Sequence, residues 1–452
     1  RAKPSASRAS SSIRRIRIEW SESGQDSFIR YHADFYSTLM RRYLTLLLSL
    51  PGLAFAGSGL PLTLHDAESL WREHSRELKL ADTLVAGATA EAQTAGQRPN
   101  PDLTINALSI SPQSGLGGGP LKDKKMDSQF RLDQLIERGG KRELRIKGAE
   151  ARVDAAKLAR IDTARQQLGD LRQAYYNLRL AQEKLALARE TAALYEKSAG
   201  AGRLRLKAGD LAPVDVSRLQ IDQARAEADA RQAQADLAQA QQMLAYLIGR
   251  DREAEQIVAA DNWPQLEEIA RVTAPLDQRP DLAAAQKRLA AAEADRDLAR
   301  AKRTRDVTVG VQFERNLQNA PTNSYGFGVS VPLFIWHEYE GEIARADADY
   351  NAARLLAEQQ QAVAIGQVAQ ARNALLAARD RMKRLEGGLL ADAERVAKAA
   401  ELAYGKGAMS LMDLLDARRT LRQIQIEAAS ARADYAKALS DWQVQAEYRK
   451  PQ

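Results

Sequence analysis

Lys207–Leu219 reads KAGDLAPVDVSRL, and Gly405–Ala417 reads GKGAMSLMDLLDA. The two stretches align at one offset of 198 residues, which pairs Gly209 with Gly407 and Asp215 with Asp413. A glycine permits the chain to reverse, and Pro213 suits the first turn of the helix that follows. The same helix reversal is therefore predicted twice, which indicates an internal duplication.

A second pair of segments supports the duplication. NPDLTI at Asn100–Ile105 aligns with TRDVTV at Thr304–Val309 across 204 residues. The six extra residues of the first copy fall in the Gly-rich stretch SPQSGLGGGPLKDKK, residues 111–125, which is predicted to be a variable surface loop. The duplicated unit consists of a helix, a strand pair, a very long helix, a turn and a helix. Such a duplicated unit suggests a ring or tube.

The long helices are predicted from composition. Lys141–Lys207 and Glu340–Lys406 are rich in Ala, Leu, Arg, Gln and Glu, and each would be about 100 Å long, with a local break in the first near Gly200. Helices of this length cannot surround a compact core and must pack along one another as coiled coils. Shorter helical partners are predicted at Thr63–Ala95, Pro213–Ile248, Asp281–Arg303 and Ser410–Glu447.

Alternating apolar and small or polar residues predict four strands. The apolar positions are Leu103, Ile105 and Ala107; Phe130 and Leu132; Val307, Val309, Val311 and Phe313; and Tyr325, Phe327, Val329 and Val331. Four strands cannot close a barrel within one chain. They are either one share of an oligomeric barrel, with Phe334, Trp336 and Tyr339 at the membrane interface, or two hairpins packed on a periplasmic domain.

The N-terminal residues differ from the repeats. Residues 40–56 combine a basic start, an apolar run and the small-residue site Ala54-Phe55-Ala56, which predicts a secretory signal peptide. Residues 1–39 are interpreted as upstream sequence translated in error, or alternatively as a basic arm. Without residues 1–56 the formal net charge falls from +7 to about +2, so nucleic-acid binding lacks electrostatic support.

The rest of the chain divides into three predicted parts. Residues 57–249 form the first repeat, residues 250–279 a linker with a small region at mid-height, and residues 280–452 the second repeat. The boundaries follow the two aligned segments and the irregular composition between them.

Residues 62–448 resemble the outer-membrane factor family, the TolC-like channels of efflux pumps and type I secretion. The resemblance rests on the strand pairs, the long helices, SVPLF at Ser330–Phe334 and YGKGAMSLMDLLDARRTL at Tyr404–Leu421. QLIERGGKRELR at Gln134–Arg145 resembles the heavy-metal branch, whose members serve cobalt, zinc, cadmium or copper exporters. The resemblance therefore implies an efflux channel.

The family implies a mainly α-helical, internally duplicated fold with a membrane β-barrel. Three protomers would build a 12-stranded barrel in the outer membrane of a Gram-negative bacterium, continued by a 12-helix periplasmic tunnel. The implied partners are outer-membrane lipid, a periplasmic adaptor and an inner-membrane RND pump that exports heavy-metal cations. Two alternatives remain: a TolC-like channel for drugs or secreted polypeptides, and a soluble periplasmic coiled-coil scaffold or adaptor.

The candidate entrance residues are acidic. Asp413 and Asp416 lie three residues apart on a helix, so both can face one side and form carboxylate rings in a trimer. Alternatively they are acids that favour a helix N-terminus. Asp215 matches Asp413, but Arg218 stands where the second copy has Asp416.

The resemblance adds a tyrosine and two turns. Tyr404 matches a tyrosine implicated in holding the entrance closed, whereas Met409 replaces an arginine that locks some relatives. Gly209 and Gly407 would form the tips that contact the adaptor, or serve simply as helix C-caps.

No residue pattern predicts catalysis or a resident metal. The chain has four histidines without ligand spacing and no cysteine. The GLGGG run lacks the GK[ST] ending of a phosphate loop, and no nucleophile and base are paired. We therefore predict a protein that is not an enzyme, with no cofactor and no dedicated metal site, so that metal selectivity resides in the pump.

Overall fold

The computed structural model describes residues 59–110, 120, 126–266, 276, 279–317 and 322–446. The predicted extension 1–39 and signal peptide 40–56, and nearly all of the Gly-rich loop 111–125, lie outside them. Within the described residues the helices are α1 Leu64–His74, α2 Arg76–Ala95, α3 Lys141–Lys207, α4 Pro213–Ile248, α5 Pro280–Ala301, α6 Glu340–Arg384, α7 Leu390–Gly405 and α8 Leu411–Ala446. The strands are β1 Leu60–Leu62, β2 Asp102–Leu108, β3 Asp127–Ile136, β4 Ile257–Ala259, β5 Val307–Asn316 and β6 Thr322–Ser330.

The order of these elements repeats. The first copy runs α2, β2, β3, α3, α4, and the second runs α5, β5, β6, α6 with α7, then α8. Helix α3 packs against α2, α4, α5 and α8, and α8 also packs against α6 and α7. The predicted duplicated, mainly α-helical fold is therefore confirmed.

Helices α3 and α4 occupy the predicted ranges. The predicted break near Gly200 is wrong, because α3 is continuous to Lys207. Gly202, two residues after Gly200 in α3, lies against α4. A Cβ atom at Gly202 would be 2.7 Å from Leu219 Cδ1. The glycine in this region thus permits close helix packing rather than a break.

Two other predicted helices are interrupted. The predicted helix 63–95 divides at the buried Ser75, whose Oγ accepts a hydrogen bond from the backbone N–H of Leu78 and caps α2. The predicted helix 340–406 contains a π-helical turn at Leu385–Leu389, where Gly388 has φ +156°. The corresponding helix α3 has no such turn, so the two copies differ here.

Strands β2, β3, β5 and β6 form one antiparallel sheet in that order. The register aligns Leu103, Leu132, Val311 and Phe327 in one row across all four strands, and Ile105, Phe130, Phe313 and Tyr325 in another. Because neighbouring residues on a strand point to opposite faces, these rows make one face apolar, and most of their side chains are exposed. The opposite face carries polar residues and glycines, among them Thr104, Arg131, Gln312 and Gly326.

The region between the copies contains a 3₁₀ helix, Asp251–Gln256, followed by β4, which pairs in parallel with β1. The Tyr175 hydroxyl joins α3 to this region, because it lies 3.0 Å from the Leu62 carbonyl oxygen and 2.9 Å from the Asp261 carboxylate. Burial raises the pKa of Tyr175, so the phenol stays neutral and can donate. Around it lies a hydrophobic core that includes Trp71, Leu171, Leu178, Leu244 and Ile248.

A buried ionic cluster connects α3, α5, α6 and α8. Arg279 and Arg165 are only 4% and 3% exposed, and both lie near the Asp281 carboxylate. The Arg279 Nη2 atom lies 2.7 Å from Asp281 Oδ2, and Arg165 Nη2 lies 3.8 Å from the same oxygen. Arg165 also pairs with Asp162 at 2.8 Å, and Gln445 accepts from both arginines. The Asp281 carboxylate therefore lies beside two buried guanidinium groups, and Asp162 is the closer counter-ion of Arg165.

No helix of the described residues is both long and apolar enough to cross a membrane.

Two glycines allow the backbone geometry of the helix ends to be tested. Gly249 and Gly209 have φ angles of +71° and +82° at the ends of α4 and α3. A Cβ atom at Gly249 would lie 2.8 Å from His74 Cβ, whereas one at Gly209 would meet nothing within 4 Å. We expect Gly209→Ala to cost about 1 kcal/mol of unfolding free energy for its left-handed φ, and Gly249→Ala roughly 2–3 kcal/mol. Unfolding followed by circular dichroism in detergent measures both; equal losses would contradict the predicted crowding.

Candidate channel entrance

The two predicted chain reversals have the same backbone hydrogen bonds. The N–H groups of Gly209 and Asp210 donate to the carbonyls of Leu206 and Arg205. In the second copy, the N–H groups of Gly407 and Ala408 donate to the carbonyls of Tyr404 and Ala403. Both sets are Schellman motifs, which require a left-handed residue after the helix and therefore favour glycine. Both glycines are exposed, so each turn presents free surface beyond its helix pair.

Asp413 begins α8. Its backbone N–H donates to Ser410 Oγ at 3.2 Å, and the Ser410 hydroxyl donates to Asp413 Oδ2 at 2.7 Å. The acid therefore stabilises the helix start, which is the alternative role considered from the sequence. Its side chain is nevertheless exposed, so this contact does not remove its charge from the surface.

Asp416 lies one turn further on and is also exposed. Its carboxylate is 3.4 Å from Arg419 Nη1. Leu414 and Leu415 between the two acids are buried, and Leu415 packs against Tyr195 and Leu219 of the first copy. The apolar residues of the LMDLLDA turn thus hold α8 against α3 and α4 while the acids remain outside.

Asp215 occupies the matching helix start of α4. Arg218 Nη1 lies 3.5 Å from Asp215 Oδ1, and it also approaches Met412 Sδ at 3.3 Å. The sequence placed Arg218 where the second copy has an acid, and the structure places this cation beside Asp215, as it places Arg419 beside Asp416. The two turns therefore differ at the position of Arg218, which corresponds to Asp416.

Tyr404 joins the two copies. Its hydroxyl accepts a hydrogen bond from Arg205 Nη1 at 2.9 Å, and the Arg205 guanidinium carbon lies 5.7 Å from the centre of the tyrosine ring. Within the described residues, Met409 makes no polar contact with Tyr404. The arginine that contacts Tyr404 is instead Arg205 of the first copy, which was not predicted from the sequence.

Further arginines of α8 reach the first copy. Arg419 Nη2 lies 2.9 Å from both oxygens of Asp222, which is buried, and this hydrogen bonding raises the pKa of Arg419. Arg422 lies 2.6 Å from Asp229. These pairs were not predicted from the sequence. The two arginines are three residues apart on α8 and the two acids seven apart on α4, and both spacings place side chains on one face of a helix, which could have indicated the pairs.

A third α8 arginine lies beside a small cavity. Arg418 donates to Ser198 Oγ at 3.0 Å and lies 3.1 Å from Glu401. The cavity has a volume of about 160 Å³ and is lined by residues of both copies, including Gly202, Arg205, Leu219 and Tyr404. These contacts connect the ends of the two helix pairs around a space that is not fully packed.

Within the described part of the chain, no group of three or more His, Asp or Glu side chains is arranged to hold a metal ion. His65, His74 and His337 lie there, and His337 contacts Glu342 at 3.1 Å. The acids near the turns are engaged by Ser410, Arg419 and Arg218, as described above. Their arrangement provides charged surface at the helix ends rather than a ligand set.

The fold and the paired turns define a duplicated, mainly helical protein with one four-stranded antiparallel sheet. A family model described as "Outer membrane efflux protein" matches residues 69–250 and 273–441, which is more than half of the chain. The chain therefore belongs to the outer membrane efflux protein family, and its place is in the outer membrane. The family consists of channels rather than enzymes.

Individual relatives agree with this assignment. The chain is 28% identical over 157 residues to the cobalt-zinc-cadmium resistance protein CzcC of Cupriavidus metallidurans, a match that spans 33% of this chain and 36% of CzcC. A membrane protein from Pseudomonas aeruginosa shares the fold with a TM-score of 0.72 at 20% identity, over 87% of this chain and 97% of that one. The Campylobacter jejuni CmeC outer membrane channel shares it with a TM-score of 0.71 at 16% identity, over 84% and 85% of the two chains.

Proposed function

We propose that this chain is one protomer of a trimeric exit channel in the outer membrane of a Gram-negative bacterium. The observation that carries the proposal is the four-stranded sheet, which has one exposed apolar face and two edge strands, β2 and β6. Edge strands have backbone groups that must be paired inside hydrocarbon. Joining β6 of one copy to β2 of the next would satisfy them, and three copies would give the expected 12 strands.

A relative and the family resemblance support a substrate and partners for the proposed channel. Heavy-metal cations are the proposed cargo, because CzcC is a cobalt-zinc-cadmium resistance protein and QLIERGGKRELR resembles that branch. A periplasmic adaptor and an inner-membrane RND pump would complete a tripartite exporter. The chain itself would act as a passive duct without a catalytic step, and the pump would select the metal.

Roles can be proposed for the sequence-predicted residues on this basis. Gly209 and Gly407 would form the tips that contact the adaptor. Asp413 and Asp416, with Asp215 and Tyr404, would surround the periplasmic entrance. Residues 57–249 and 280–452 would be the two repeats of each protomer, joined by residues 250–279.

Trimer formation tests the proposal directly. The purified full chain is expected to form a trimer in detergent by mass photometry, and to migrate differently on gels before and after heating. A monodisperse monomer that remains soluble without detergent would overturn the channel and favour the periplasmic scaffold.

The entrance acids can be tested separately. Three protomers would place six Asp413 and Asp416 carboxylates around one opening, where their combined field attracts cations. We expect Asp413→Asn with Asp416→Asn to lower the preference for cations over anions about threefold, and to weaken block by multivalent cations. Asparagine is chosen because its amide oxygen can still accept the hydrogen bond that the Ser410 hydroxyl donates to Asp413. Reversal potentials and block in planar bilayers measure the effect.

The matched control is Asp215→Asn. This variant removes one carboxylate per protomer instead of two, at a turn where Arg218 takes the position of the second acid, so it is expected to change selectivity less. If the double variant kept normal selectivity and block while remaining trimeric, Asp413 and Asp416 would be helix-start residues only.

A further inference from the structure

Three chain segments converge at the end of the sheet where the strands meet the long helices. The Arg138 backbone N–H donates to Asp306 Oδ1 at 2.9 Å, and Lys141 Nζ lies 2.8 Å from the same oxygen. Arg303 Nε donates to the Glu338 carbonyl at 3.1 Å. These bonds join residues 136–141, 302–306 and 331–339, which we call the junction surface.

The 331–339 segment presents apolar side chains outward. Leu333, Ile335 and Trp336 are 72%, 65% and 94% exposed. Phe334 and Tyr339, which were predicted to lie with Trp336 at a membrane interface, pack against each other with ring centres 5.4 Å apart. Of these three aromatic residues, Trp336 is the one that projects.

The exposed apolar residues continue the apolar face of the sheet. On β6 that face consists of Tyr325, Phe327 and Val329, and the chain passes directly from β6 into the 331–339 segment. Burying three such side chains is favourable by about 25 cal/mol for each Å² removed from water. Whatever covers the sheet face therefore has an apolar surface that extends to Trp336.

Cations lie beside these apolar side chains. Arg138, Lys302, Arg303 and Arg305 are exposed, and none forms an ion pair with another residue of the described ranges. The Arg305 guanidinium is held 5.3 Å from the Phe334 ring. Most nearby acids are engaged: Glu137 pairs with Arg145, Asp306 with Lys141, and Glu342 contacts His337. This leaves Glu338, and Glu340 at the start of α6. Positive charge exceeds negative charge in these segments.

We propose that the junction surface binds the anionic phospholipid headgroups of the leaflet facing the periplasm. This inference rests on the proposed function, because it places the sheet in the outer membrane. Trp336 would lie at the headgroup level with its ring among the upper acyl chains, and Lys302 and Arg305 would contact phosphate oxygens. A second protein could cover the apolar residues alone. An apolar face bordered by unpaired cations, however, matches a lipid leaflet, in which an apolar acyl-chain region borders a region of anionic headgroups.

Quenching of tryptophan fluorescence by brominated lipid tests the proposal. The full chain is reconstituted with either brominated phosphatidylglycerol, which is anionic, or brominated phosphatidylcholine, which is zwitterionic. The chain has five tryptophans, so the signal of Trp336 is the difference between wild type and Trp336→Phe. We expect this component to be quenched by both lipids, and at lower mole fraction by phosphatidylglycerol.

The cations are tested with Lys302→Gln and Arg305→Gln together. The preference for phosphatidylglycerol is expected to fall about fivefold for each cation removed, whereas quenching by phosphatidylcholine remains. The matched control is Arg203→Gln with Lys207→Gln, which removes the same charge at the far end of α3 and should leave the preference unchanged. Circular dichroism and heated gels check that every variant is folded.

The outcomes separate this inference from the proposed function. An equal lipid preference in both double variants, or no Trp336 quenching in a protein that still conducts ions, would overturn the junction surface and leave the channel intact. A chain that neither associates with liposomes nor conducts would overturn both.

Discussion

Asp281→Asn is expected to destabilise the folded chain by roughly 3 kcal/mol. The substitution leaves Arg279 buried with only amide partners, and it leaves Asp162 as the remaining carboxylate beside Arg165, which also keeps its hydrogen bond to Gln445. A buried cation that loses its counter-ion still pays the free energy of desolvation, and nothing now offsets it. This free energy is larger than the interaction free energy of two exposed charges. Chemical unfolding in detergent, followed by circular dichroism, measures the loss.

The control for this prediction is Asp154→Asn. Asp154 pairs with Lys287 at 2.8 Å, but both side chains are 46% exposed. Exposed pairs contribute between about 0 and 1 kcal/mol, so this variant should lose little stability. If the two variants lost the same amount, the buried cluster would not contribute as its geometry indicates.

The same carboxylate predicts a pH dependence. Burial raises the pKa of Asp281, but the hydrogen bond with Arg279 and the charges of Arg279 and Arg165 lower it further, so that it lies below the usual 3.8. A lowered pKa in the folded state means that the carboxylate stabilises the fold above the unfolded pKa and that this contribution is lost as pH falls. Wild-type stability should therefore decrease below about pH 4 more steeply than that of Asp281→Asn.

Under the proposed function, with an entrance that closes by bringing the two helix pairs together, Arg419→Ala is expected to shift the entrance from closed to open about tenfold, which corresponds to about 1.4 kcal/mol. Arg419 binds both oxygens of the buried Asp222 and thereby connects α8 to α4. Its removal leaves the buried Asp222 carboxylate without a cation. This destabilises the state in which the two helix pairs lie together, relative to a state in which they separate and water reaches the carboxylate. Half of the Arg419 side chain is exposed, so the expected effect is smaller than for a fully buried pair. Open probability of single channels in planar bilayers measures the shift.

Arg381→Ala provides the comparison. Arg381 joins α6 to α8 through Asp434 at 3.0 Å, with similar exposure of the arginine, but its partner carboxylate is 43% exposed. This variant should conduct like the wild type. Equal open probability in all three proteins would show that the Arg419 pair does not hold the entrance closed.

The sequence by itself determined the local elements and their repetition. Helices α3 and α4 were predicted at Lys141–Lys207 and Pro213–Ile248, and they have these bounds. The alternation that predicted the strands appears as the two apolar rows of the sheet. These features depend on side-chain periods of 3.6 and 2 residues and on glycine or proline at helix ends, all of which are properties of neighbouring residues. The proposed roles of Asp413 and Asp416 at the entrance stay predictions.

The tertiary structure decided which distant residues meet. Arg205 contacts Tyr404, and Arg419 contacts Asp222, across 199 and 197 residues of sequence. Such pairs depend on the axial register of one long helix against another. Because the helix surfaces are repetitive and Ala-rich, several registers would bring together similar sets of residues. Phe334 likewise packs on Tyr339 while Trp336 stays exposed, and the division at Ser75 follows from a buried hydroxyl that caps α2. Each is set by packing between elements, because the local sequence is compatible with more than one arrangement.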